Sequence, residues 1–239
     1  MIGLGTIINV IAIVAGGVIG MLGGKCLSDR CQETLLRTMG VCVLFVGIAG
    51  VMEKMLVIEN GALTTTGTMM LVISTAIGCL AGEALDLHGR MERFGRWLRE
   101  KSGNAQDKQF LDAFITATMT VCIGAMAIVG AVEDGLYGDH TILAAKALLD
   151  FVIILVMASS MGKGCLFSAI PVGVFQGSVT LLARLVAPIL TTAALDNLSL
   201  VGSALIFCVG LNLLWKNTIR VANLLPSLLV AVAYALLGF

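Results

Sequence analysis

The sequence predicts an all-α fold, a polytopic transmembrane helical bundle, and two observations carry this prediction. The 239 residues are 58% hydrophobic and only 13% charged, whereas soluble globular domains are about 45–50% apolar and 25% charged. The apolar residues also fall into runs of about 20, the length that a helix needs to cross the hydrocarbon core. We therefore predict a single transmembrane domain over residues 1–239, with the lipid bilayer as its first partner.

We expect about eight spans. Their predicted bounds are 3–24, 37–57, 65–85, 110–132, 141–161, 166–190, 199–215 and 222–238. The sixth is interrupted by polar residues and prolines, namely Pro171, Gln176, Arg184 and Pro188. Seven or nine spans therefore remain as alternatives.

The distribution of lysine and arginine predicts the orientation, because loops on the cytoplasmic side carry an excess of both. With the N-terminus outside, the exterior loops hold only Lys54. The interior loops then hold Lys25, Arg30, Arg37, Arg90, Arg93, Arg96, Arg99, Lys101, Lys108, Lys163, Lys216 and Arg220. We therefore predict an N-out/C-out topology, which requires an even number of spans.

The one long polar stretch, 86–109, predicts a basic amphipathic helix in the cytoplasmic headgroup layer. Its apolar residues recur at helical spacing, as Leu87, Met91, Phe94 and Leu98, and its arginines fill the other faces. It is either an interfacial linker anchored by Trp97 or a surface that senses lipid or binds a partner.

Glycines recur four residues apart within three predicted spans, at Gly16, Gly20 and Gly24, at Gly78 and Gly82, and at Gly173 and Gly177. Small residues at this spacing let helix backbones approach closely in lipid. Tight packing within the chain and a homodimer face both fit the pattern.

Two predicted spans resemble each other. The second contains GVCVLFVGIAGVMEK from Gly40, and the seventh contains GSALIFCVGLNLLWK from Gly202. In the predicted topology these helices run in opposite directions. We therefore expect an inverted repeat that relates helices 1–3 to helices 6–8, as in many secondary transporters.

Ionisable residues inside predicted spans are the main functional signal, because they are costly in a bilayer and mark pathways or ion sites. Lys146 and Asp150 lie at i, i+4 in the fifth span, and Arg184 has a similar depth in the sixth. They form either a structural ion-pair network or an ion or proton site in which Asp150 exchanges partners.

Uncharged polar residues and acidic helix ends extend this hypothesis. The candidate pathway lining is Asn9, Gln176, Asn212 and Asn223, each of which could instead hold helices together. Candidate vestibule acids are Glu53, Glu133 and Asp134 at the outer side, and Glu83 and Asp86 at the inner side. Ordinary solvated loops are the alternative for these acids.

No pattern for an enzyme, a cofactor or a metal is found. The seven cysteines form no CxxC pair, the histidines (His88 and His140) lie outside the predicted spans, and no strand is predicted. The formal net charge of zero gives no sign of nucleic-acid binding. We expect no catalytic residues, cofactor or metal.

Several strings together resemble one bacterial inner-membrane family, known as domain of unknown function 554. They are Gly5 to Asn9, CIGAMAIVG from Cys122, EDGLYGDH from Glu133, FSAIPVGVFQGSVT from Phe167 and GLNLLWKNTIRVANLLPSLLVA from Gly210. The resemblance implies a multi-span protein of the bacterial cytoplasmic (inner) membrane, sometimes labelled a transporter. It carries over no site residues.

We therefore expect a transporter or channel for an inorganic cation, or for a small polar solute coupled to one. The alternative from another class is a membrane scaffold or sensor that acts through the basic helix.

Overall fold

The structure is a computed structural model that describes residues 2–24, 26–59, 61–215 and 218–237. Within these ranges the regular secondary structure is helical apart from one hairpin. The helices are α1 (Leu4–Gly24), α2 (Asp29–Met55), α3 (Thr68–Leu85), α4 (Leu87–Lys101), α5 (Phe110–Cys122), α6 (Ala125–Tyr137), α7 (Thr141–Met161), α8 (Ala169–Leu181), α9 (Ala183–Val186), α10 (Thr192–Leu214) and α11 (Pro226–Leu236). Short 3₁₀ helices occupy Lys163–Ser168, Ala187–Ile189 and Val221–Leu224. Lys25 and Lys216, on which the topology prediction partly depends, lie outside the described residues.

Six of the described helical segments are long and apolar enough to cross a membrane. They are Leu4–Gly24, Arg30–Met55, Thr68–Leu85, Thr141–Met161, Lys163–Leu181 and Thr192–Leu214. A seventh crossing results if α5 and α6, which meet at a 62° bend, form one broken span. The last apolar segment, Val221–Leu236, is shorter. The chain is a helical membrane protein, and the expected eight spans stay a prediction.

The fourth predicted span, 110–132, is not one continuous helix. Helix α5 ends at Cys122 and α6 begins at Ala125. Between them Ile123 is extended, and Gly124 has a φ of +147°, which favours glycine. The prediction of an unbroken helix is wrong because the surrounding residues are apolar and contain no proline, so nothing in the pattern marks the break.

A short antiparallel hairpin follows α2, although the sequence predicted no strand. Strand β1 (Leu56–Glu59) pairs with β2 (Ala62–Thr65). Asn-Gly between two apolar runs is a strong hairpin signal, and the sequence has it at positions 60 and 61. Gly61 has a φ of +77°, while Asn60 lies outside the described residues. The strands are too short for alternation to reveal them.

Glycines bring α1 into backbone contact with α7. A Cβ atom on Gly16 would lie 2.6 Å from the Phe151 carbonyl oxygen, and one on Gly24 would lie 2.5 Å from that of Ser159. Contact positions rise together along the two helices, so α1 and α7 run parallel. The glycine step of α1 is therefore used for packing within the chain.

Two further helix pairs are antiparallel, because contact positions rise on one helix and fall on the other. The facing pairs are Gly40 with Leu214, Gly47 with Phe207, Gly50 with Ser203, Gly78 with Ser227 and Gly82 with Asn223. Helix α2 thus runs against α10, and α3 runs against α11 and the 3₁₀ helix before it.

The glycines proposed for a homodimer face are mostly occupied by these contacts within the chain. Of the seven, only Gly177 has no described atom within 4 Å of the position that a Cβ atom would take. A homodimer stays a prediction that needs another surface.

We expect Gly20→Ala to lower the stability of the chain. The added methyl group would overlap the Leu155 carbonyl oxygen, so two helix backbones would have to separate. Overpacking of this kind costs about 1–3 kcal/mol. Gly23→Ala is the matched control, because on the same helix no described atom lies within 4 Å of its added methyl group. Thermal unfolding in detergent measures both variants, and equal melting temperatures would contradict the α1–α7 packing.

The basic segment predicted over 86–109 contains helix α4. Gly95 and Leu98 are buried, where α4 packs against α5. Phe94 and Trp97 are exposed, and their rings stack with centroids 5.9 Å apart. One edge of the helix thus joins the bundle, and an aromatic edge is exposed.

Candidate ion site at a broken helix

Lys146 and Asp150 form a buried ion pair on α7. The Lys146 Nζ atom lies 2.7 Å from each carboxylate oxygen of Asp150 and 2.8 Å from the Val121 carbonyl oxygen. Only 7% of Lys146 and 3% of Asp150 is exposed. A lysine ammonium has three N–H donors, so these three oxygens use all of them. The i, i+4 pairing expected from the sequence is therefore present.

The helix break makes the Val121 carbonyl available to Lys146. Helix α5 ends one residue later, at Cys122, and the last four carbonyls of a helix have no partner within it. The carboxyl end of a helix also carries partial negative charge, which attracts cations. One carboxylate and a helix-end carbonyl thus surround a cation, which here is the chain's own ammonium group.

A buried pair of amide side chains adjoins the ion pair through Asn9. Asn9 Nδ2 donates to Gln176 Oε1 over 3.2 Å, and both residues are buried. The Asn9 amide also interacts with the Asp150 carboxylate. Asn9 Oδ1 and Gln176 Nε2 have no partner among the described residues. Of the four expected pathway residues, Asn9 therefore lies at the ion pair, and Gln176 lies beside Asn9.

Arg184 is not part of this ion pair. It lies exposed on α9, a separate four-residue helix, because the helix that carries Gln176 ends at Leu181. Within the described part of the chain, the ion pair of Asp150 is with Lys146.

Asn212 and Asn223 hold turns together. The Asn212 amide donates to the Ile219 carbonyl over 2.6 Å and accepts from the Ile219 N–H over 2.9 Å. Asn223 Oδ1 accepts the His88 N–H over 2.6 Å. Both residues therefore shape the end of the bundle where α4 begins, and their bonds are to that end of the chain and not to Asp150.

The acids expected at the outer vestibule have different surroundings. Asp134 is fully buried, and its Oδ2 accepts the Gly5 N–H over 3.2 Å at the start of α1. Glu133 is half-buried. Glu53 is exposed beside Lys54, which also pairs with Asp196 over 2.9 Å. Among these acids, Asp134 is the one inside the bundle.

The acids expected at the inner vestibule make surface contacts. Glu83 pairs with Arg220 over 3.6 Å. Asp86 Oδ1 caps α4 by accepting the Gly89 N–H over 3.2 Å, and its Oδ2 pairs with Arg93 over 3.3 Å. Both carboxylates are already engaged with neighbouring residues.

A cavity of about 370 Å³ opens near these acids, between α4, α5, α10 and the 3₁₀ helix Val221–Leu224. Its polar lining consists of His88, Glu92, Asp112, Thr116, Asn212 and Arg220. A smaller cavity of about 80 Å³ shares Asp112, Thr116 and Asn212 with it. In the described ranges Asp112 has no ion-pair partner.

The larger cavity follows α5 toward the ion pair. Asp112, Thr116 and Met119 line it in succession, and Met119 precedes Val121 by two residues. Lys146 and Asp150 are not among the residues that line this cavity or the smaller one. Asp112 and Thr116 were not predicted as site residues, although their i, i+4 spacing in an apolar span is a readable signal.

Comparison with known proteins gives the family. The family described as protein of unknown function (DUF554) matches residues 4–236. The chain belongs to this family. The DUF554 match begins with α1 and ends with α11, so it contains both the ion pair and the cavity.

Two relatives are similar along nearly their whole length. The chain is 30% identical over 226 residues to the uncharacterized membrane protein YdfK of Bacillus subtilis strain 168, and the match covers 95% of this chain and 93% of that protein. It is 28% identical over 235 residues to the uncharacterized protein YqgA of Escherichia coli strain K12, with 95% and 94% covered. No solved structure matches the chain.

Proposed function

We propose that this membrane protein transports a cation, or a small polar solute coupled to a cation, with Asp150 as the ion or proton site. The observation that carries the proposal is the ammonium group of Lys146, which is held by both oxygens of Asp150 and by a helix-end carbonyl. Secondary transporters bind ions at such interruptions of membrane helices. Lys146 acts as a tethered cation that occupies the site when no other cation does.

Charge balance in a low-dielectric interior explains how binding would cause movement. The pair is neutral as it stands, whereas a proton or metal ion on Asp150 would leave an unpaired ammonium buried on α7. An uncompensated buried charge is strongly destabilising. Cation binding therefore requires Lys146 to lose a proton or to move to water. Loss of the proton couples the site to proton movement, and displacement of Lys146 couples it to a change in conformation.

The cavity beside α5 supports an access route on one side of the pair. Asp112, which has no ion-pair partner among the described residues, attracts cations into it, and the Met119 lining is two residues from the carbonyl that Lys146 contacts. A movement at the break between α5 and α6 would connect the cavity with the ion pair, because the break already lacks continuous helical hydrogen bonds.

The helix directions support the finer topology. Helices α1 and α7 run parallel, so an even number of crossings must precede α7. This holds if α5 and α6 together make one crossing, because α1, α2, α3 and this pair are then four crossings. Helices α2 and α10 run antiparallel. This is expected if α8 crosses the membrane, because α2 is then the second crossing and α10 the seventh. With α11 as the last crossing, these directions agree with eight spans and with the N-out/C-out arrangement in a bacterial cytoplasmic membrane. The opposite directions of α2 and α10 also support the expected inverted repeat.

A second candidate is a scaffold or sensor that acts through α4. The observation in its favour is the exposed Phe94–Trp97 stack on a helix that also carries Arg90, Arg93 and Arg96. Aromatic and basic residues together are typical of a helix at an anionic membrane surface.

Flux through purified protein in liposomes distinguishes the candidates. We expect sodium, potassium or protons to move under an imposed gradient faster than in protein-free liposomes, and the imposed gradient of one cation to drive a second species. A leak equal to that of protein-free liposomes for all three ions, with folded protein present, would favour the scaffold.

A further inference from the structure

We propose that a polar conduit links the α1 N-terminal end of the bundle to Asp150, and that Asp134 binds a small monovalent cation at the end of the conduit farther from Asp150. The conduit is formed by Thr6, Asn9, Asp134, Gln176 and Thr180. This inference rests on the proposed function, since it supplies the second route to the same ion site. The predicted topology places this end on the outer side.

The deepest layer of the conduit is the amide pair next to Asp150. Asn9 on α1 donates to Gln176 on α8, and Asn9 also interacts with Asp150. Helix α1 thus brings an amide group to the ion pair, and α8 places a second amide group beside the first.

The next layer follows from the directions of α1 and α8. Position 9 meets position 176, and Val10 meets Gly173, so the two helices run antiparallel. Thr6 therefore lies one turn from Asn9 toward the start of α1. Thr180 lies one turn beyond Gln176 on α8, which places it at about the same level as Thr6. One helical turn rises about 5.4 Å.

Asp134 lies at this level as well. Its Oδ2 accepts the N–H of Gly5, the neighbour of Thr6. The next residue, Gly135, packs directly against the Thr180 carbonyl. Asp134 is fully buried, and within the described residues no basic side chain pairs with it. A buried carboxylate without a counter-ion is a functional-site feature in a membrane protein.

Unpartnered atoms run through all these layers. Ten buried side-chain atoms in the described residues lack a hydrogen-bond partner, and five of them belong to the conduit. They are Thr6 Oγ1, Asn9 Oδ1, Asp134 Oδ1, Gln176 Nε2 and Thr180 Oγ1. Buried polar atoms without a partner are rare in folded proteins, and a bound water or ion is one explanation for them. Four of the five are oxygens, the ligand type that alkali and other hard cations prefer.

Thiol accessibility tests the conduit without any assay of transport. Thr6→Cys and Thr180→Cys are treated in proteoliposomes with a small cationic methanethiosulfonate, and modified peptides are identified by mass spectrometry so that native cysteines do not interfere. We expect both positions to react at least about tenfold faster than Ala117→Cys, which is also buried but lies in the apolar core on α5. Rates equal to that control would overturn the conduit.

Removal of the charge on Asp134 tests the proposed cation site. We expect Asp134→Asn to slow cation flux by about tenfold or more, while it keeps an oxygen for the Gly5 N–H and hence the start of α1. Asp139→Asn, which alters an exposed loop carboxylate, is the matched control and should transport like the wild type. Wild-type flux in Asp134→Asn would overturn the assignment of Asp134 as a cation site. Absence of flux in the wild type would instead count against the proposed function, and thiol accessibility would still decide the conduit.

Discussion

Replacing Lys146 by methionine is expected to cost about 3–5 kcal/mol of stability, more than the overpacking expected for Gly20→Ala. The substitution keeps much of the side-chain volume but leaves the Asp150 carboxylate buried at 3% exposure without its counter-ion. It also leaves the Val121 carbonyl without the donor that it has at the helix break. Unfolding by denaturant in detergent measures the loss.

The double substitution Lys146→Met with Asp150→Leu is the control for that experiment. It removes both charges, so no uncompensated charge from this pair stays in the bundle, and we expect it to recover most of the stability lost in Lys146→Met. A double variant that is less stable than either single variant would show that the two charges are not each other's main partners.

Asp150→Asn is expected to lower cation flux by about tenfold or more per folded molecule, because it removes the negative charge for which the lysine and the transported cation compete. Asp150→Glu keeps a carboxylate and should retain part of the flux, with a higher cation concentration at half-maximal rate. Asp139→Asn again controls for the loss of a carboxylate at an exposed position. Flux is measured in liposomes and divided by the amount of folded protein.

Full flux in Asp150→Asn would contradict the assignment of this residue as the ion site. A purely structural role makes a different prediction. Asp150→Asn and Asp150→Glu would then change the yield of folded protein, while the dependence of the flux on cation concentration would stay that of the wild type.

Local spacing is enough to predict the ion pair. Lys146 and Asp150 lie four residues apart in an uninterrupted apolar run, and the geometry of a helix places such residues on one face. The run itself, 141–161, has the same bounds as α7. Arg184 was grouped with them by depth alone, and depth along a span contains no information about the helix break that separates α9 from α8.

The partners from other helices could not be predicted. Val121 has an apolar side chain, and its role depends on a carbonyl that is free because α5 stops at Cys122. The meeting of Asn9 with Gln176 depends on how α1 packs against α8. Neither contact follows from the residues near it in sequence.

Apolar run length and i, i+4 spacing are local properties, and from them alone follow the membrane class, most of the long helices and the charged pair on α7. The burial of Asp134, the break in the fourth span, the contacts of Asn9 and Val121 with the ion pair and the contact of Gln176 with Asn9 required the folded arrangement. These features depend on which helix faces which. In lipid, close packing of small residues directs that choice, and the same glycine step could serve several partners.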